Sequence, residues 1–175
     1  LPPEQFSSGM GEVIKHGLIR NREYYRWLKE HQKEINLRDL EICQTMVLVS
    51  NQIKGEVVEK DPTEKGDRAL LNFGHTLGHA IEKLKDFTMF HGHCVGLGAI
   101  AASEISADRG LISKEEAEDI RRTMEQFGIP ASVSGLSREE VIAATKLDKK
   151  MEAGVVKFIL LKQIGQAFVD RTVTD

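Results

Sequence analysis

The chain has 175 residues, 41% hydrophobic and 29% charged, one globular domain's worth of sequence with enough apolar residues to bury a core. A formal charge of -3 argues against nonspecific binding to nucleic acid or to an anionic membrane, so any affinity for anions has to be local. Two cysteines, Cys43 and Cys94, make neither a disulfide framework nor a zinc-finger pair and fit a reducing cytoplasm, and no apolar run approaches the roughly 18 residues of a membrane span.

The chain opens on Leu1-Pro2-Pro3 without an initiator methionine, which is what an internal boundary of a longer protein would look like. Ser7 or Ser8 is expected to cap a helix through Gly11 to Gly17, and an apolar-periodic stretch from about Glu23 to Ile35 also reads as helix. Apolar residues at Leu40, Cys43, Val47, Ile53 and Val57 predict a long helix over Leu40 to Val58, ending before Asp61-Pro62. Asp61 to Asp67 reads as a polar loop, Leu70 to Leu84 as helix, and the Gly- and Ala-rich Cys94 to Arg109 as a closely packed helix stopped at Gly110. Ser113 with Glu116, and Ser137 with Glu140, have capping-box spacing and open helices to Phe127 and Lys146. Only the tail reads as strand: Val155 to Leu161 and Ala167 to Val173 flank Gly165 as a hairpin. The expected fold class is mainly α, with a small β-hairpin near the C-terminus. No glycine-rich dinucleotide turn follows a strand.

Four of the six histidines, His75, His79, His91 and His93, fall within about a tenth of the chain. His75 and His79 are one helical turn apart and project from one face, so they can converge on one ion. His91, behind a short loop, can return to the same pocket, and Glu12 is a plausible remote oxygen ligand. Glycines at 74, 78 and 92 allow backbone to approach closely there. The isolated His16 and His31 are read as solvated or satisfied core residues. Thr76 stands where a metalloprotease helix would carry Glu, and the chain has no His-Asp doublet, which disfavours those two hydrolytic chemistries.

Lys15, Lys54, Arg68, Lys149 and Lys150 are each, taken singly, expected on the solvated surface. If the histidine helix starts early enough, however, Arg68, Asn72 and His75 share one face. A guanidinium, an amide and a metal on one face suit an anionic, oxygen-rich substrate. Glu64, in the polar loop, is a possible acid or base.

Gly11-Glu12-Val13-Ile14-Lys15-His16-Gly17, the run from Arg68 through Asn72-Phe73-Gly74-His75-Thr76-Leu77-Gly78-His79, His91-Gly92 and Asp148-Lys149-Lys150 together closely resemble the C-terminal domain of 3-dehydroquinate synthase, a member of the sugar-phosphate cyclase superfamily. The resemblance covers residues 1-175. It implies a helical metal- and substrate-binding domain that closes against an N-terminal NAD-binding domain absent from this chain. By the same resemblance Glu12, His75 and His91 are zinc ligands, His79 is a proton-transfer and substrate-contacting group, and Glu64 a proton acceptor. Lys15, Lys54, Arg68, Asn72 and Lys149 or Lys150 would hold a phosphorylated sugar acid. The implied reaction converts 3-deoxy-D-arabino-heptulosonate 7-phosphate to 3-dehydroquinate and phosphate, with Zn2+ or Co2+ and catalytic NAD+, in a cytoplasmic homodimer of the shikimate pathway. The domain alone is expected to be inactive. His93 departs from the family, which usually carries Glu there, and adds an imidazole beside the site. The alternatives are a related cyclase, a metal-dependent polyol or glycerol dehydrogenase, and a noncatalytic module with a four-ligand structural zinc.

Overall fold

The computed structural model describes residues 1–61, 66–150 and 157–172, and only the backbone of Asp67 and of residues 147–150. Helix α1 spans Pro3–Arg20 and starts earlier than its serines imply. Pro3 takes the first helical position, where a missing amide costs no hydrogen bond, so Ser7 and Ser8 lie inside the helix and cap nothing at its start. The single helix expected from Glu23 to Ile35 is two, α2 (Arg22–Glu30) and α3 (Gln32–Asn36). The break is at His31, whose ring stacks on Trp27 at 4.4 Å and whose Nδ1 lies 3.0 Å from the Trp27 carbonyl that its own amide also uses.

Helix α4 (Leu40–Lys60) is capped by Asp39, whose Oδ1 accepts from the Ile42 amide at 3.0 Å. A 3-10 helix follows over Asp67–Asn72, and α5 runs from His75 to Leu84. The continuous helix expected over Leu70 to Leu84 is therefore interrupted. Phe73 is extended and fully buried, and Gly74 has φ 79°, a left-handed conformation that a side chain would strain. Arg68 and Asn72 consequently do not share a helical face with His75. Helix α6 (His91–Asp108) starts three residues before the expected Cys94, with the Gly92 amide donating to Ser8 Oγ at 3.0 Å. Both expected capping boxes form: Ser113 and Glu116 open α7 (Lys114–Gln126), and Ser137 and Glu140 open α8 (Arg138–Lys150). The hairpin pairs β1 (Phe158–Gln163) antiparallel to β2 (Gln166–Asp170), with Leu161 opposite Ala167. Residues 155, 156 and 173 of the expected strands lie outside the described residues.

Helix α6 is the centre of the fold, packing against α1, α5, α7 and β1. It can do so because glycines remove side chains at its crossings. A Cβ on Gly92 would overlap the Ser8 carbonyl of α1, and one on Gly98 would overlap the Gly74 carbonyl that leads into α5. The hairpin is fastened by the Leu161 amide donating to Ser106 Oγ of α6 at 3.0 Å and the Gly165 amide donating to the Leu18 carbonyl of α1 at 2.8 Å. Ile14, Leu18, Phe73, Ile120, Met124 and Leu160 fill the core between these elements. Among the described residues no helix is long and apolar enough to cross a membrane.

His16 is a satisfied core residue, as expected: it is buried, and its Nδ1 lies 2.7 Å from Ser50 Oγ on α4. Burial, together with the nearby Lys15 charge, pushes it down from 6.5 to about 4. Between those values the unfolded chain binds a proton that the folded chain refuses. This part of the stability is complete above about pH 6.5 and is lost as pH falls toward 4, on the order of 3 kcal/mol. Urea melts of metal-free His16→Asn should show a shallower loss of stability across that window than the parent. An identical slope would contradict the burial of a neutral imidazole.

Candidate metal and substrate site

On α1, Glu12 and Lys15 are one turn apart and face the same way. Lys15 Nζ donates to Glu12 Oε2 at 2.5 Å, and the lysine side chain is only 3% exposed. The other carboxylate oxygen, Oε1, is buried with no hydrogen-bond partner among the described residues. A buried carboxylate oxygen left unpaired is costly, so its surroundings point to what completes it. It lies 3.7 Å from His75 Nε2 and 3.8 Å from His91 Nε2.

The two histidines arrive there by backbone geometry. His75 is the first residue of α5, immediately after the left-handed Gly74, and His91 is the first of α6, pinned by the Gly92 amide on Ser8. His79 follows one turn after His75, exposed, with its ring 5.2 Å from that of His75 and 5.9 Å from that of His91. One ligand atom from each of His75, His79 and His91 lies within 4.8 Å of the others. Donors at about 2.0–2.2 Å from a tetrahedral ion sit about 3.3–3.6 Å apart, so the Glu12–His75 and Glu12–His91 separations each need only a small contraction. Two imidazoles and one carboxylate are the donor set of an open catalytic zinc site, and the orphaned Oε1 is the donor an ion would satisfy. The residues fit a divalent metal.

Electrostatics favour the same use. Burial pushes His75 down to about 4, with Lys15 adding to the shift and Glu12 opposing it, so the imidazole is neutral near pH 7 and keeps a lone pair to donate. Burial alone would raise Glu12, but the Lys15 charge and hydrogen bond, aided by His75 and His16, outweigh it and hold the carboxyl below its ordinary value. Lys15 is itself lowered by burial and by Lys54, while Glu12 resists the shift.

Lys15, Lys54, Arg68 and Asn72, four of the candidate substrate residues, come from three elements that pack on one another, α1, α4 and the 3-10 helix. Lys15 lies on α1 and Lys54 is exposed on α4, near enough for its charge to act on both Lys15 and His16. Half-buried Arg68 and exposed Asn72 sit on the 3-10 helix, where the Arg68 amide donates to Asp61 Oδ2 at 3.3 Å. Glu64 lies outside the described residues, and Lys149 and Lys150 are placed at the end of α8 by backbone only. His93 turns away from the cluster: its Nε2 lies 2.7 Å from Ser7 Oγ, and with Glu4, Lys85 and Phe90 it lines a cleft of ≈ 350 Å³. Ser7 and Ser8, read from sequence as helix caps, instead tie the first turn of α6 to α1. Those contacts span more than eighty positions, and no local pattern signals them.

A family model described as 3-dehydroquinate synthase C-terminal matches residues 9–151. The 3-dehydroquinate synthase of Nitrosospira multiformis is 39% identical over 170 residues, covering 97% of this chain and 46% of the relative. That of Ruminiclostridium cellulolyticum is 37% identical over 168 residues, covering 96% and 47%. The chain thus spans about half the length of the curated relatives it matches. Among solved structures, ValA, a 2-epi-5-epi-valiolone synthase from Streptomyces hygroscopicus subsp. jinggangensis solved with NAD+ and Zn2+, superposes with a TM-score of 0.90 at 22% identity, covering 99% of this chain and 49% of that one. A 2-deoxy-scyllo-inosose synthase complexed with carbaglucose-6-phosphate, NAD+ and Co2+ gives 0.80 at 22% identity, covering 95% and 47%.

Glu12→Gln should weaken Zn2+ binding at least about tenfold in a chelator-competition titration, since it removes the charged donor. It also leaves Lys15 buried without a countercharge, at a cost of about 3 kcal/mol in metal-free urea melts. Unchanged metal affinity would show that Glu12 is not a ligand.

Proposed function

Because the chain belongs to the 3-dehydroquinate synthase C-terminal family, we propose that it is the metal- and substrate-binding half of a 3-dehydroquinate synthase, converting 3-deoxy-D-arabino-heptulosonate 7-phosphate to 3-dehydroquinate and phosphate. The observation that carries this reading is the buried, unpartnered Glu12 Oε1 set between the Nε2 atoms of His75 and His91. In this reading NAD+ belongs mainly to an N-terminal domain of the whole protein, which is a cytoplasmic homodimer. Two unpaired cysteines, Cys43 and Cys94, are consistent with a reducing compartment.

Glu12, His75 and His91 would hold Zn2+ or Co2+. When bound, such an ion supplies a Lewis acid to a substrate hydroxyl, favouring loss of its proton. Lys15 holds Glu12 ionised and directed, and presents a cation at the floor of the site beside the substrate hydroxyls. Arg68 grips an oxyanion with its planar fork, and Lys54, Asn72 and Lys149 or Lys150 complete the hold on carboxylate and phosphate. Exposed at the rim, His79 can pass a proton from an imidazole nitrogen to a substrate oxygen, and Glu64 accepts one. Holding both charged ends of the substrate fixes which carbon meets which base, and orientation of this kind supplies much of the rate.

The decisive assay uses the full-length protein with the heptulosonate phosphate, NAD+ and Zn2+, following phosphate and NADH together. Phosphate released without net NADH is expected. NADH accumulating on simple polyols with no phosphate would move the assignment to a polyol dehydrogenase. Arg68→Ala should lower kcat/KM about 10- to 100-fold, the worth of a charge-assisted hydrogen bond, while retaining the metal. Loss of metal in that variant would contradict its role as a substrate group.

A further inference from the structure

We infer that Glu82 is a positioning residue of the metal site, orienting His91 through Nδ1 so that Nε2 is the nitrogen offered beside Glu12 and His75. The inference rests on the metal reading above and extends it to a residue outside the ligand set. His91 Nδ1 lies 3.3 Å from both Oε1 and Oε2 of Glu82, while its Nε2, on the other side of the ring, lies 3.8 Å from Glu12 Oε1.

A carboxylate can only accept, so a neutral His91 held by Glu82 carries its proton on Nδ1 and keeps the lone pair on Nε2. The ring needs such help. Its side chain is 46% exposed in the first turn of α6, whereas that of Glu82 is 17% exposed, so the acid is the more firmly embedded partner. His75 solves the same problem with backbone: its Nδ1 lies 3.2 Å from the Phe73 carbonyl oxygen, another pure acceptor. Both imidazoles are thereby set to the same tautomer, one by a peptide oxygen and one by a carboxylate. The carboxylate does more, because both of its oxygens lie within reach of Nδ1 and its charge strengthens the hydrogen bond that orients the ring.

The spacing explains how one helix can serve two ligands. Glu82 is seven residues after His75 and three after His79, so α5 presents an imidazole at one end of a face and, two turns on, the acceptor for the imidazole of α6. The helix pair that packs through Gly74 and Gly98 is also the pair whose register this contact reads.

The test is Zn2+ affinity of the full-length protein by chelator competition, with the visible spectrum of the Co2+ form as a second readout, for Glu82→Ala, Glu82→Gln and His91→Ala. Glu82→Ala should weaken Zn2+ binding about 10- to 100-fold and alter the Co2+ bands, with the metal-free melting midpoint unchanged. Glu82→Gln, whose amide oxygen can still accept from Nδ1, should recover most of the affinity. Affinity equal to the parent in Glu82→Ala, where His91→Ala has lost the metal, would overturn the role of Glu82 alone. Glu82→Gln as weak as Glu82→Ala would overturn the tautomer role in favour of charge. Undiminished binding in His91→Ala would sink the metal reading itself and the inference with it.

Discussion

Backbone meets backbone where α6 crosses α1 and the start of α5, and that contact sets where Glu12, His75 and His91 sit. Gly92 against the Ser8 carbonyl and Gly98 against the Gly74 carbonyl leave no room for even one methyl group. Glu12, His75 and His91 come from three separate elements, and their donor atoms approach within 3.7 and 3.8 Å only because those elements touch without side chains between them. Metal–ligand distances tolerate errors of a few tenths of an ångström. Inserting a side chain at such a crossing would move a whole helix by more than that.

Charge is arranged on that frame with equal economy. Glu12 is ionised in a partly dry setting because Lys15 neutralises one oxygen, and the same ion pair leaves the other oxygen facing the imidazoles. A buried ion pair rarely adds net stability over well-packed apolar residues, so its presence in the wall of α1 makes better sense as the basis of a site than as a fold device. The orphaned oxygen argues the same way, since it costs stability in the absence of a ligand and repays it only when one binds. Lys54 on α4 lies near enough for its charge to act on Lys15 and His16, so the surroundings of this ion pair are locally more basic than a slightly acidic chain implies.

Much of this was legible in the sequence. The two capping boxes, the long α4, the hairpin about Gly165 and the histidine cluster are local patterns, and each formed. The failures share a cause. Leu70 to Leu84 has helical apolar spacing, yet the tight docking of Gly74 against α6 imposes a left-handed turn there, and periodicity cannot register a contact with a distant helix. Ser7 and Ser8 have cap-like composition, but Pro3 starts the helix sooner and frees them to hold α6, which lies more than eighty residues away in sequence. His93 is near in sequence to the ligands and still bonds to Ser7 instead, because the two steps along α6 from His91 turn its side chain by about 200°.

Anomalous diffraction at the zinc edge from crystals of the metal-loaded protein tests the central claim most directly. The expected map places one ion bonded to Glu12 Oε1, His75 Nε2 and His91 Nε2, with a further position open to solvent or substrate. An ion held by His75, His79 and His91, with Glu12 still paired only to Lys15, would contradict the claim that the orphaned carboxylate oxygen of α1 completes the metal site.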